Sequence, residues 1–469
     1  MIRTGVVIFM AICLSFTVLQ YVAMVIWAVL SGRLLDRRRH GNRALALQKI
    51  KADPAAPGVS LILPAYDEEA VIVHTTRSAL EQEYANLEII VVNDGSKDNT
   101  LGVLIDAFDM HVFESQPPVG PIATKDLHAI YRSQQVPNLV VVDKAASGAK
   151  ADNANVGVNI ATYDWVVVMD ADEFMEIDVI ARCMAGVVVS PDEIVGVGTT
   201  LLPANDIIID GPHIVDRRVG ADYWVGCQLI EYLTAFLVAR PGMASIGAMP
   251  IISGGFGLYK RDAIVRAGGY VHGHLGEDMD MCLRIQQTEL AQGRPHQIVQ
   301  VPEAIVWTEF PSDKSVLKRQ RIRWHRGLRT IMDDYGHMIG RKKYGTVGTI
   351  GVGSLYVFEW IGPILEAIGW VLLVILLVFG FVSPVAALSV YLTAQFFGMA
   401  LTMLGALMGI ARLGVYHRSR DVWRLVGFAL KVNWGYRQLT LVWRIRSLLP
   451  GENVWGEMPR AGFTTVGAP

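Results

Sequence analysis

Hydrophobic positions along the chain fall into three regimes. The first is residues 5–31, GVVIFMAICLSFTVLQYVAMVIWAVLS, which hold no charge. About twenty apolar residues cross a bilayer as a helix, so this run predicts a span within residues 1–34. A secretory signal would have a shorter apolar core and a small-residue cleavage site. Here the run leads instead into Arg33, Arg37, Arg38 and Arg39. Positive flanks stay inside, which places the next domain in the cytosol, behind a basic linker at 35–57.

The second regime, residues 58–312, has short apolar runs between stretches of helical periodicity. VSLIL at 59–63, LEIIVVN, NLVVV and DWVVVM read as buried strands, and AYDEEAVIVHTTRSALEQ reads as a helix. Strands alternating with helices imply a parallel sheet covered on both faces. Ligands bind such sheets beyond the carboxyl ends of the strands. Asp94, Asp143 and Asp170 each close a strand, and Asp67 follows another. No Gly-x-Gly-x-x-Gly follows the first strand, and GGFG at 254–257 lies far downstream. A Walker motif is also missing, which excludes the common dehydrogenases and P-loop nucleotidases.

The third regime begins at residue 346. Residues 357–381 and 384–411 read as spans joined by a short turn, with Glu359 and Glu366 in or beside the first. Carboxylates at that depth should face protein or a wet cavity. Arg412, Arg418 and Arg420 form another inside flank. Residues 421–447 are apolar but carry Arg424, Lys431, Arg437 and Arg444 at spacings of 7, 6 and 7. That spacing predicts one striped helix. Facing lipid, each cation would cost roughly 2.5–3.5 kcal/mol. The expectation is therefore an interfacial or channel-lining helix, with a cytosolic tail at 448–469. Helices at 313–345 are expected to be amphipathic and interfacial.

Composition agrees with an integral membrane protein. The 469 residues are 52% hydrophobic and 18% charged, too apolar for an ordinary soluble enzyme. A net charge of -2 gives no basic surface for nucleic acid. The four cysteines, Cys13, Cys183, Cys227 and Cys282, form no Cys-x-x-Cys pair, so neither a zinc site nor a disulfide framework is implied.

Asp170-Ala171-Asp172 is the sharpest chemical signal. Two carboxylates one residue apart, where a chain leaves a sheet, suit a hard cation such as Mg²⁺ or Mn²⁺. Such an ion neutralises a nucleotide diphosphate as it departs. LPAYDEE, VVNDGSKDNT, GAKADNANVGVNIATYDWVVVMDADE, SGGFGLYKRDAIVRAGGY, GEDMDMCLRI and QRIRW then occur in order. The set resembles the membrane-integrated family 2 glycosyltransferases, nearest to the poly-N-acetylglucosamine, chitin and hyaluronan synthases and further from bacterial cellulose synthase. The resemblance covers about residues 58–460. It implies a Rossmann-like α/β GT-A domain in the cytosol, an α-helical transmembrane region and inversion at the anomeric carbon.

Roles carried over by this resemblance follow the motifs. Ala65, Tyr66, Glu68 and Asp94 would hold base and ribose, Lys150 the donor phosphates, and Asp170 and Asp172 the metal. Asp67 stands where relatives usually have Asn, and alternatively caps a helix. Asp94 is alternatively a turn residue, and Lys150 a solvated lysine at a helix start. Asp278 would be the general base, with Glu277 beside it in the acceptor site. Acids in the first turn of a helix also answer its dipole, and Asp280 reads as a surface residue. Gln320, Arg323 and Trp324 form a Gln-x-x-Arg-Trp motif, with Trp324 and Gln320 toward the acceptor and Arg323 toward the donor. A basic helix against anionic lipid is the other reading of that stretch. Trp455, Gly456 and Arg460 partly match a loop that closes over the donor.

The resulting expectation is an inner-membrane synthase. It polymerises a β-linked polysaccharide from a UDP-sugar, UDP-N-acetylglucosamine first, and passes the chain through its own helices. Its partners would be donor, growing polysaccharide, membrane lipid and accessory export subunits. A non-processive transferase with a lipid acceptor and a catalytically silent export subunit are the alternatives.

Overall fold

Four buried apolar runs set the middle of a ten-stranded sheet: β1 (Val59–Ala65), β2 (Leu87–Asn93), β5 (Leu139–Lys144) and β6 (Trp165–Met169). Every residue of β2 and β6 is buried, and β-branched side chains suit a strand packed on both faces. The remaining strands are β3 (Met110–Glu114), β4 (Leu127–Ser133), β7 (Phe174–Met175), β8 (Ile194–Pro203), β11 (Phe256–Lys260) and β12 (Gln297–Thr308). The order is β3-β4-β5-β2-β1-β6-β11-β8-β12-β7. The computed structural model describes residues 2–40, 43–114, 120–171, 173–188, 193–211, 213–450 and 464–465.

Only part of this sheet is parallel. β5, β2, β1 and β6 run parallel, as expected. β11 is antiparallel to both β6 and β8, and β4 is antiparallel to β5. The parallel expectation thus holds for the centre, and the sheet as a whole is mixed. A second sheet joins β9 (Ile207–Asp210), β10 (His213–Arg217) and β13 (Thr464–Thr465). In it the tail strand β13 pairs parallel to β9.

Two local expectations change in this unit. The first helix begins at Ile72 and ends at Leu80, later than its periodicity suggested. Asp67 is left-handed, at φ 54, and the amides of Glu68 and Glu69 donate to Thr100 Oγ1 and Asp98 Oδ2. These bonds to a neighbouring loop hold residues 66–71 out of the helix. The basic linker is also partly helical, at Arg43–Lys51. There Ile50 is buried, and Lys51 pairs with Glu83 at 2.5 Å and Asp178 at 3.4 Å.

The chain divides into two compact units. The sheet unit holds residues 35–217 and 249–309 together with β13, and the helical unit holds the rest. Residues 218–248 therefore leave the domain expected to run unbroken from 58 to 312. They form a helix, Tyr223–Thr234, that continues through a π-helical turn, Ala235–Ala239, into Arg240–Ala244. Ser31 Oγ donates to Leu237 O at 2.5 Å, joining it to the N-terminal helix Ile2–His40. Gln228, Glu231 and Arg240 interrupt its apolar pattern, which hid it from a hydropathy reading.

Among the described residues, three helical stretches are long and apolar enough to cross a membrane: Ser15–Leu34, Val347–Val378 and Pro384–Leu413. The second starts ten residues before the expected 357. Residues 421–447 form no single striped helix. The helix Ser419–Lys431 and the helix Arg437–Ser447 are separated by non-helical backbone at Trp434 and Gly435. Gly435 has φ +95, a region that side chains other than hydrogen strongly disfavour.

Partners along the two halves show how they run. Thr402 donates to Ala429 O at 2.7 Å, and further along the Trp434 ring meets Tyr391 edge-on at 5.8 Å. The first half is thus antiparallel to the Pro384–Met408 helix. Arg437 then pairs with Glu366 at 3.3 Å and Arg444 with Glu359 at 3.1 Å. The second half is therefore antiparallel to the Val347–Val378 stretch. At 13 and 11 residues, the halves reach about 20 and 16 Å, short of a bilayer core of about 30 Å. The segment enters the bundle, breaks at Gly435 and turns back. Arg437 and Arg444 are met by the two carboxylates that the spans carry, which answers both anomalies of the third regime together.

Candidate active site

The loops after β1 and β2 clasp each other. Asp67 Oδ1 accepts from Lys97 N at 2.7 Å, and Asp67 N donates to Ser96 Oγ at 3.1 Å. Asp67 is therefore a loop tie, and the following helix has no side-chain cap. Ala65 is buried, while Tyr66 is 42% exposed at the strand end.

Asp94 is almost fully buried and heavily bonded. Its carboxylate pairs with Lys144 Nζ and accepts from Ser147 N at 2.8 Å, Ser147 Oγ at 2.9 Å and Gly148 N at 3.2 Å. Lys144 is itself completely buried and also pairs with Asp152 at 2.9 Å. A buried ammonium persists only when paired. This cluster ties the end of β5, the loop 145–149 and the first turn of the helix Lys150–Ile160 into one piece. Sequence reasoning missed Lys144, since nothing local distinguishes it from a strand-end lysine. Asp143 is held by Asn93 Nδ2 at 2.7 Å.

Lys150, at the start of that helix, is the hub of the site. Its Nζ lies 2.5 Å from Asp170 Oδ1, 2.7 Å from Gly254 O and 4.0 Å from Glu277 Oε1. Burial alone would lower its pKa, but the charges of Asp170 and Glu277 outweigh burial and hold it above the usual lysine range. These contacts put Lys150 at the strand-end Asp170.

Asp278 sits in the first turn of the helix Glu277–Ala291, whose N-cap Gly276 supplies no side-chain bond. Asp278 Oδ2 accepts from Gly254 N at 3.2 Å. The GGFG stretch makes this approach possible. A Cβ on Gly254 would lie 3.3 Å from Asp278 Cβ, and one on Gly255 would lie 2.0 Å from Glu173 Oε1. Gly255 O also accepts from Asp170 N at 3.3 Å. Asp280, expected at the surface, is buried and paired with Arg284 at 2.5 Å. Tyr270, which the sequence did not single out, joins Lys150, Gly254, Glu277 and Asp278 around an open pocket of about 330 Å³. Burial raises its phenol pKa above the ordinary value.

A divalent cation fits this chemistry. Asp170 presents a carboxylate 39% exposed at the strand end, held by a lysine that a diphosphate could equally engage. Among the described residues no three His, Cys, Asp or Glu side chains group closely enough to bind a metal alone. A hard cation here would complete its shell with phosphate oxygens, as Mg²⁺ commonly does. Asp172 lies outside the described residues, as do Trp455, Gly456 and Arg460.

Gln320, Arg323 and Trp324 lie on the helix Lys314–Tyr335 of the other unit. Trp324 is 39% exposed, with the Arg321 guanidinium 4.6 Å from its ring centroid. Gln320 Oε1 is buried.

A mixed sheet with a carboxylate-rich pocket at its strand ends, in a chain that also carries candidate membrane spans, defines a membrane-associated GT-A glycosyltransferase. The chain belongs to glycosyl transferase family group 2, whose model matches residues 165–408. Residues 60–201 also match the glycosyl transferase family 2 model. The chain is 26% identical over 321 residues to the poly-beta-1,6-N-acetyl-D-glucosamine synthase of Staphylococcus epidermidis, covering 68% of this chain and 63% of that one. It is 26% identical over 275 residues to the Staphylococcus aureus synthase of the same name, covering 59% and 55%. The chain thus spans less than two thirds of the length of these relatives. A mannosyltransferase from Pyrobaculum calidifontis, solved with GDP-Man and Mn²⁺, has the same fold, with a TM-score of 0.53, 18% identity, and coverage of 91% of this chain and 99% of that one.

Proposed function

We propose that this protein is a processive, inverting hexosyltransferase that builds a β-linked polysaccharide from UDP-N-acetylglucosamine and secretes it through its helical unit. The observation that carries the reading is the convergence of Lys150, Gly254, Glu277 and Asp278 on one pocket, with Asp170 paired to Lys150. The staphylococcal relatives support the choice of sugar.

In this mechanism Asp278 takes the proton from an acceptor hydroxyl as its oxygen attacks the anomeric carbon. The bond to UDP breaks on the opposite face, which inverts the configuration. A positioned carboxylate within hydrogen-bond reach is what such a step needs. The amides of Gly254 and Met279 donate to Asp278 Oδ2 and Oδ1, at 3.2 and 2.8 Å, which orients the carboxylate and leaves each oxygen a further lone pair for the proton. Lys150 neutralises charge on the departing diphosphate. Asp170 and Asp172 would hold Mg²⁺ or Mn²⁺, which supplies further neutralisation of that group. Ala65, Tyr66, Glu68, Asp94 and Arg323 are assigned to the donor, and Gln320, Trp324 and Glu277 to the acceptor.

We place the protein in the plasma membrane with its sheet unit in the cytosol. Two candidate spans lie between the body of the sheet unit and β13, and β13 pairs with that same unit, which supports a tail on the cytosolic side. A cysteine placed near residue 465 should resist a membrane-impermeant thiol reagent in intact cells and react after permeabilisation. Labelling in intact cells would reverse the assignment.

Incubating purified protein with several UDP-sugars and digesting the product with linkage-specific hydrolases tests the activity. The expected product is a long β-linked N-acetylglucosamine polymer, lost in excess EDTA and regained with Mg²⁺ or Mn²⁺. A product one sugar long would replace this reading with a non-processive transferase, and full turnover in EDTA would remove the metal.

A further inference from the structure

Arg321 precedes Trp324 by one helical turn and lies over its ring. Its guanidinium is held from two other elements. Nη2 is 2.7 Å from Glu231 Oε2 and 3.2 Å from Tyr436 Oη. Tyr436 Oη in turn donates to Glu231 Oε2 at 2.8 Å, closing a three-membered network within the helical unit. Glu231 comes from the helix Tyr223–Thr234, and Tyr436 follows directly on the break at Gly435. The Arg321 side chain is only 13% exposed. Burial would lower its pKa, and the Glu231 charge more than offsets that.

A cation over an indole is attracted by the ring quadrupole, and more strongly when desolvated. A guanidinium locked in place by a carboxylate therefore fixes the ring it covers. With one indole face taken by Arg321, the exposed part of Trp324 is what remains for a ligand. None of these three residues belongs to the Gln-x-x-Arg-Trp motif, whose arginine is Arg323.

We propose that Glu231 is a positioning residue. Through Arg321 it fixes the orientation of Trp324, and through Tyr436 it couples that orientation to the re-entrant turn. The consequence for chain growth rests on the reading of Trp324 as an acceptor contact. On that reading, Glu231 sets acceptor affinity and product length without touching the donor.

Two measurements test the proposal separately from that reading. The first is the near-ultraviolet circular dichroism of the full chain in detergent, for wild type and Glu231→Gln, each with and without Trp324→Phe. In the tryptophan bands, to the red of the tyrosine signal to which Tyr436 contributes, the Glu231→Gln difference should be present with Trp324 and absent with Phe. A difference that persists without Trp324, or no difference at all, overturns the positioning role whatever the enzyme makes. The second is kinetic. Glu231→Gln should raise acceptor KM about fivefold, as expected for losing roughly one such contact, and shorten the product, with UDP binding unchanged. Glu231→Asp should recover part of both. A spectral change confined to Trp324 with unchanged acceptor KM would keep the positioning role and withdraw the acceptor assignment of Trp324. A loss of UDP binding in Glu231→Gln would count against both.

Discussion

The two units treat charge in opposite ways. In the sheet unit, Asp170 and Glu277 share one ammonium, Lys150, and Asp278 lines the same pocket as Lys150 and Glu277. In the helical unit the pairing is one to one: Arg437 with Glu366, Arg444 with Glu359, and Arg321 with Glu231. A matched pair holds elements together, and removing one partner strands the charge of the other. An excess of carboxylate at a strand end is a standing demand for positive charge. The comparison teaches where to look for chemistry: at the cluster where one cation is shared among carboxylates.

Substitutions should separate the two kinds of charge. Asp278→Asn should give the largest effect, a loss of about 10²–10⁴-fold in sugar transfer, with UDP-sugar binding retained in a direct binding assay. Near-normal transfer by this variant would move the base elsewhere, with Glu277 next to be tested.

His325 gives an intermediate effect from the other unit. Burial, followed by the charge of Arg444, brings its pKa down from 6.5 to about 4. The folded state therefore prefers the neutral ring. The unfolded chain takes up a proton first, so stability is full above about pH 6.5 and declines as pH falls toward 4. The total is about 3 kcal/mol. Melting in detergent across this range should show that slope, and His325→Gln should flatten it. An unchanged slope in the variant would assign the acid sensitivity to other groups.

The smallest effect should come from a matched pair. Glu366→Gln strands Arg437 and should lower the melting temperature, and Arg437→Gln with Glu366→Gln should recover part of the loss. The coupling expected for residues in contact is about 0.5–3 kcal/mol. Additive losses would mean that the pair is incidental, and a large loss of sugar transfer at constant stability would blur the contrast between the units.

Much of the site was legible before the fold. Asp170, Lys150 and Asp278 were named from motif context, and in the structure Lys150 pairs with Asp170 and lines one pocket with Asp278. Strand ends deliver side chains to one edge of a sheet, so local patterns foretell such convergence. The role of Gly254 and Gly255 was hidden, because it depends on Asp278 and Glu173 arriving from distant segments. Lys144 was hidden for the same reason.

By itself, the sequence determined the apolar runs, hence the central strands, the three candidate spans and the requirement that Glu359 and Glu366 find partners. These follow from local periodicity and from the cost of burying charge, which any window of the chain displays. Only the tertiary structure decided that residues 218–248 join the helical unit, that residues 421–447 turn back at Gly435, and that Arg437 and Arg444 are the partners of those two glutamates. Each of these depends on a contact between segments far apart in the chain. A stripe of cations looks the same in sequence whether it meets lipid headgroups or the carboxylates of neighbouring helices, and which one it meets is settled by packing.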